Sequence, residues 1–467
     1  MMFKMNAVIL SLIVVGTIGM HALASSHRRF FYGDDAAMTG SAGTAIIQDT
    51  GAIWYNPAGL GGNQFRKVQI SGTVYGVRLR SLNGILKTDV DSSTHREGAS
   101  LNTLMIVPSA FSLAFQLNDR VSLGIALYQS ENNSLHLRIA QQFPVAASGK
   151  SWSNGLEYHE EDIRYTAGWA LGFEISDNLK WGIANFGTYE SAGASIRLHS
   201  GFLHADPENP AVDTFTIDSQ YVDVQGAGTM FTTGLQWQVN NNWFTGVLYR
   251  SPIFVLWARQ NFSSFNAAAP KPAADTAAAG GGENLQPFFR YSDSDDAKVD
   301  FKMSVPMEVV WSIVYRRGNS WAGADAGWQF PYKKNNHRGV FNASVGAHLA
   351  VSRRFNFGVG FFTDNDSQKK FDGTLTKAGN RFGVTGGIQF LSAELVEQLK
   401  PTDASKSKSR RRVLATTLSF SYSFQSMAYR QIHFFTDSDT EIVSAQLDID
   451  RAVFHQMAIQ LGGGFYF

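Results

Sequence analysis

The chain has 467 residues, 44 % of them hydrophobic and only 17 % charged, with 35 Phe, 10 Trp, 44 Gly, no Cys and a formal net charge of +1. Soluble globular proteins carry about 25 % charged residues, so this surface is short of charge for water on every side. The aromatic content excludes disorder, the missing cysteines exclude a disulfide scaffold, and the near-neutral charge excludes a basic nucleic-acid footprint. Beyond residue 24 no apolar run approaches the ~18 residues of a membrane helix, and the architecture that fits is a large membrane β-barrel.

In chain order, Lys4, the apolar run Ala7 to Met20 and Ala22-Leu23-Ala24 have the layout of a cleaved signal peptide over residues 1–24. Its removal leaves 39 basic residues (40 minus Lys4) against 39 acidic ones. Residues 25–66 do not alternate. From about Lys67 to Arg80 a first strand begins, and clear alternation follows. Ile163, Tyr165, Ala167, Trp169, Leu171 and Phe173 share one face, while Asp162, Arg164, Thr166, Gly168, Ala170 and Gly172 share the other. Val299 to Tyr315 reads as a longer strand, with Val305, Met307, Val309 and Trp311 on its apolar face. Leu418, Phe420, Tyr422 and Phe424 stand opposite Ser419, Ser421 and Ser423. The polar faces are rich in Gly, Ser, Thr and Gln, as a lumen requires, rather than in the Lys and Glu of a soluble sandwich.

Tight polar turns recur at Asn118-Asp119, Asp177-Asn178, Asn240 to Asn242, Gly318-Asn319 and Ser352 to Arg354, each followed by an aliphatic or aromatic start. The opposite connections read as long loops, at roughly 80–101, 129–160, 198–219, 263–296, 331–338, 364–380 and 426–450. Asn266 to Pro287 is an Ala/Pro/Gly tract. Residues 393–412, ending in a basic run, read as a periplasmic insertion where a short turn is expected, with partner docking as a further reading. The last strand alternates to a terminal Phe467, which resembles the signal read by barrel-assembly machineries. The expectation is an all-β, antiparallel transmembrane barrel of about fourteen strands spanning residues 67–467, in a bacterial outer membrane, with both termini periplasmic.

The non-alternating stretch holds Gly40-Ser41-Ala42-Gly43-Thr44-Ala45, then Asp49-Thr50-Gly51-Ala52 and Asn56-Pro57-Ala58-Gly59-Leu60. Together with Ile106-Val107-Pro108-Ser109 and Leu117-Asn118-Asp119-Arg120, this resembles the FadL family of outer-membrane transporters for long-chain fatty acids, toluene and other hydrophobic compounds. The resemblance implies a fourteen-stranded barrel with residues 25–66 folded inside as a hatch. It also implies an apolar pocket above the hatch and a sideways exit associated with the third strand. Asp49, Asn56, Pro57, Ala58 and Gly59 would form the hatch motif. Such a segment must satisfy its buried backbone groups, for which Asn56 offers donor and acceptor, Pro57 a fixed φ and Gly59 close approach. Gly124 and Ala126, inward on the third strand, would border the exit or simply let the hatch pack on the wall. Phe30 and Phe31 would reach the pocket.

No nucleotide, nucleophile-elbow or metalloprotease motif occurs, and no cofactor or metal is implied. His159 stands alone beside Glu160 and Glu161. Asp293 to Asp296 and Asp364-Asn365-Asp366 are acidic loop clusters, the second beginning like a calcium loop but with Lys369 and Leu375 at the Gly and Glu positions. The expected partners are a hydrophobic small molecule, outer-membrane lipid and lipopolysaccharide, and the barrel-assembly machinery, without nucleic acid. Two rival readings are a barrel of the same fold serving a structural or secretion-associated role with a protein partner, and a barrel hydrolase.

Overall fold

Period-two alternation over most of the chain dictates strands, and a computed structural model builds them into a single sheet. It describes residues 31–62, 67–90, 93–145, 150–204, 212–269, 288–294, 305–331, 337–352, 354–367, 376–392, 413–437 and 442–466. The signal-like segment, Phe30, residues 270–287 of the Ala/Pro/Gly tract, Asp295, Asp296, residues 299–304 of the expected long strand, the 393–412 insertion and Phe467 lie outside the described residues.

A short N-terminal segment comes first, with helices α1 (Asp34–Thr39) and α2 (Ala52–Tyr55) and a 3-10 turn at Pro57–Leu60. The strands are β1 (Lys67–Val90), β2 (Ser93–Asn118), β3 (Val121–Val145), β4 (Lys150–Ser176), β5 (Leu179–His204), β6 (Val212–Gln238), β7 (Trp243–Arg250) and β8 (Phe254–Ala269). They continue as β9 (Phe288–Ser294), β10 (Glu308–Arg317), β11 (Ser320–Gln329), β12 (Val340–Ala350), β13 (Phe355–Asp364), β14 (Thr376–Leu391), β15 (Val413–Asp437) and β16 (Ile442–Tyr466).

Antiparallel pairing runs from β1 through β6, passes through β7 and β10 to β16, and returns from β16 to β1, so the ring is closed. β7 and β8 both pair with β6, one beyond the other, and β9 pairs with β8 as β10 pairs with β7. Sixteen segments among the described residues therefore make a ring fourteen strands wide, two of the strands being interrupted.

Outward side chains form an apolar belt: Ile125, Leu127, Trp169, Trp181, Phe231, Trp237, Trp311, Phe341, Phe357, Leu418, Ile459 and many like them are exposed. A continuous belt of this kind needs lipid against it. Inward positions on the same strands are Gly, Ala, Ser, Thr, Gln and scattered charges, as on β4, where Asp162, Arg164, Thr166 and Ala170 are buried.

Two expectations are corrected. The stretches read as long loops at 80–101, 129–160, 198–219 and 426–450 are mostly strand: β1 to β6, β15 and β16 each run to 24–27 residues. At ~3.4 Å per residue, such a strand is about 85 Å long, far more than a bilayer requires. Above the belt there is no lipid to demand an apolar outer face, so the lipid-facing alternation fades while the ladder continues. On the opposite side β10 to β13 have only 10 or 11 residues, so the wall is tall through β15, β16 and β1 to β6 and low through β10 to β13. The second correction concerns Val305 to Met307, expected within the strand Val299 to Tyr315. β10 begins at Glu308, and Val305 is buried in an interior cluster rather than facing lipid. Pro306 cannot donate to a ladder, which accounts for the break.

Candidate functional site

The N-terminal segment touches strands on all sides of the ring, from β3 to β6 and from β12 to β15. It is almost wholly buried. A segment with such contacts lies within the lumen, and its backbone groups must be satisfied by the wall.

Asn56 does this at the segment's centre. Its side-chain oxygen accepts from the Ala58 N–H at 3.2 Å, and its Nδ2 donates to the Thr44 carbonyl and the Leu235 carbonyl of β6, both at 3.1 Å. Asp49 accepts from the Gly51 and Asp35 N–H groups at 2.9 and 3.2 Å, tying α1 to the turn before α2. Pro57 and Ala58 lie against Gly182, whose hypothetical Cβ would fall 2.2 Å from the Pro57 carbonyl carbon. Gly59 is equally constrained, since a Cβ there would come within 1.9 Å of the Ile47 oxygen. The motif residues thus form one packed unit.

Sequence reasoning missed a wall residue that accepts four hydrogen bonds. Asp325 on β11 accepts from the N–H groups of Gly43 and Thr44 at 3.1 Å each, and from the Thr44 and Ser312 hydroxyls at 2.5 Å. The available signal was a lone acid among the small inward residues of Trp321 to Gly327. Gln236 adds bonds to the Thr44 and Ile47 carbonyls at 3.0 and 3.2 Å, and the Thr385 hydroxyl donates to the Met38 carbonyl at 2.9 Å.

On one side of this segment sits an aromatic cluster. The Tyr32 ring lies 4.2 Å from Tyr128 and 5.4 Å from Trp54, and Trp54 lies 5.3 Å from Phe186. Ile253, Val305, Met230, Val222 and Val224 extend the same apolar core. Phe31 belongs to the same buried core, where it meets Phe362 edge-on at 5.1 Å. The charges beside the cluster are paired with each other. Arg250 donates to Glu308 at 2.6 Å and to the Trp54 carbonyl at 3.1 Å, and its guanidinium stacks 4.8 Å from the Trp54 ring. Arg164 and Glu190 meet at 2.6 Å.

Gly124 and Ala126 face inward as read, but a Cβ on Gly124 would meet Ile53 at 2.6 Å and Leu60 at 3.0 Å. Gly124 is therefore where the segment packs on the wall. The wall opens higher up. β2 and β3 pair only from Asn118–Val121 to Ala110–Tyr128, after which β2 stays with β1 and β3 with β4. The β3–β4 register shifts at Gln129/Glu131, where the two sides part.

Of the two acidic clusters, the side chains of Asp293 to Asp296 lie outside the described residues, and Asp364-Asn365-Asp366 is tied to its neighbours. Asn365 is bonded through its N–H to Asn342 at 2.6 Å, and the Asp366 carbonyl accepts from Arg338. Among the described residues no group of three His, Asp or Glu side chains could hold an ion.

No family model matches the sequence, and no curated protein matches it. Solved structures do. A Pseudomonas aeruginosa FadL homologue matches with TM-score 0.58 and 14 % identity over 94 % of this chain and 99 % of its own. The P. putida toluene transporter TodX matches at 0.52 and 12 % over 94 % and 99 %, and the Ralstonia pickettii toluene transporter TbuX at 0.51 and 13 % over 93 % and 98 %. These likenesses show the fold: the chain is built as a FadL-type barrel, and two of these three solved proteins are toluene transporters.

Proposed function

We propose that this chain is a bacterial outer-membrane channel for the passive uptake of hydrophobic compounds, aromatic hydrocarbons or long-chain fatty acids. The observation that carries this reading is the double position of Tyr128. It belongs to the buried aromatic cluster, and it is also the last β3 residue paired with β2 before the wall parts. An apolar solute resting on that cluster is therefore beside a lateral route to lipid. Burying ~200 Å² of solute at about 25 cal/mol per Å² gives roughly 5 kcal/mol, enough for capture without an energy source. The route then runs downhill to the bilayer.

In this reading residues 25–66 are the hatch that blocks an aqueous path, and residues 1–24 are removed on export. Both termini and the tight turns then face the periplasm, and the tall wall stands among lipopolysaccharide. The terminal strand is the mark for the barrel-assembly machinery. The toluene and FadL-type relatives in fold support the substrate class.

The test is native mass spectrometry of protein extracted in mild detergent, followed by soaking with toluene and with laurate. Stoichiometric retention of either, lost in Trp54→Ala, is expected. A barrel that stays empty with both, or that conducts at the nanosiemens level in a planar bilayer, would overturn the proposal.

A further inference from the structure

The tip of the β1–β2 hairpin departs from the ring order. As far as Arg80, β1 pairs antiparallel with β16. From Leu86 to Val90 it pairs parallel with Ile432 to Thr436 of β15, on the edge of β15 away from β16. To get there the chain passes across the inner faces of two strands. The crossing begins at a register break between Leu82 and Leu86, where Gly84 takes φ +68, a conformation open to glycine and strained for other residues.

The tip also reaches the opposite wall. The Thr88 hydroxyl donates to Gln141 of β3 at 2.9 Å and accepts from Asn154 of β4 at 2.6 Å. His95 stacks on Phe143 of β3 at 4.2 Å. Leu82, Ile85 and Leu86 are fully buried among Leu135, Leu137, Trp152, Leu156 and Phe434, side chains that β3, β4 and β15 turn inward. On the β15 side the Tyr429 hydroxyl donates to the Asn83 carbonyl and Gln431 to the Gly84 carbonyl. His433 lies 2.6 Å from Asp89 and 3.3 Å from Asp448. Burial pushes the Asp89 pKa up. The hydrogen bonds from Thr94 and His433 and the positive charges of His433 and Lys87 outweigh it and hold the carboxyl below its usual range.

We propose that the described tip of the β1–β2 hairpin, residues 82–90 and 93–99, forms a strap that closes the outer mouth of the lumen and lifts at the Gly84 break to admit solute. The proposal takes its solute from the uptake reading above. The strap, rather than a neighbouring hairpin, is the element that moves. Its backbone ladder to β15 is five residue pairs long and the rest of its hold on the wall is by side chains, whereas β3 and β4 are zipped along nearly their whole length. Its apolar residues fill the space that an incoming hydrophobic molecule must cross, so strap and solute compete for one surface.

Two measurements test this. In the unmodified protein, amide hydrogen exchange at 86–90 should be at least about tenfold faster than at 77–80 of the same strand, because a strap opens separately from the barrel. Equal protection at both would overturn the proposal. The chain has no cysteine, so Lys87→Cys with His433→Cys, at register-paired positions, forms a clean staple. Uptake of radiolabelled toluene or laurate by cells carrying the oxidised staple should fall about tenfold or more and recover on reduction, with the single-cysteine variants unaffected by oxidant. Equal uptake by oxidised and reduced protein would sink the strap while leaving the uptake reading intact. Uptake absent from the unmodified protein for both probes would sink the uptake reading, with the exchange experiment still deciding whether the strap opens.

Discussion

A carboxylate that accepts four hydrogen bonds inside a lumen is hard to replace. Asp325 holds two backbone N–H groups of the N-terminal segment and the hydroxyls of Thr44 and Ser312, all buried. Replacement by alanine leaves four donors without a partner, at a cost of about 3 kcal/mol or more. In Asp325→Ala, amides 43–47 should exchange rapidly while the strands stay protected; unchanged protection there would show that the other anchors suffice. Asn56, Asp49 and Gly59 were legible in the sequence because their main partners are local, two to fourteen residues away. Asp325 was not, because Thr44 lies 281 residues before it. The pairing of Arg250 with Glu308 is likewise set at a distance, by the register between β7 and β10, which leaves no local trace.

At the scale of elements, alternation located the lipid-facing parts of the strands and the tight turns between them. It failed above the belt, where the strands continue but their outer face meets water and their inner face packs on Trp152, Leu156 and Phe434 instead of lining an open lumen. It also failed at Val305, where Pro306 ends the ladder. The low side of the wall carries a clamp between two outer connections. His337 lies 2.7 Å from the Ser367 hydroxyl, and the Arg338 N–H donates to the Ser367 carbonyl at 2.7 Å. Burial pushes the His337 pKa from 6.5 down to about 4, so the folded clamp keeps a neutral imidazole. Between those two values the unfolded chain binds more protons than the folded one. The clamp is therefore at full strength above pH 6.5 and weakens as pH falls toward 4. Protection of the Arg338 amide, corrected for intrinsic exchange, should follow that slope, and His337→Gln should flatten it. A slope that survives the substitution would assign it to another group.

For the molecule as a whole, low charge together with the alternation pointed to a membrane barrel, and a ring fourteen strands wide among the described residues agrees with the strand count read from turns and alternation. What composition could not supply was the state of the lumen. The segment from Phe31 to Leu60 packs so closely on the wall glycines that it should pass almost no ions. Gly182→Ala forces a Cβ within 2.2 Å of Pro57, whereas Gly463 has nothing within 4 Å of the same position. In planar bilayers Gly182→Ala should leak and Gly463→Ala should stay silent; two silent variants would mean that the segment adjusts without opening a path. The crossing of β1 onto β15 also imposes an order in time. Lys87 and His433 are 346 residues apart, so the tip has no seat until the last hairpin has been made and brought round to the first. A half-built barrel is therefore an unlatched one, and the mouth is the final part of the molecule to shut.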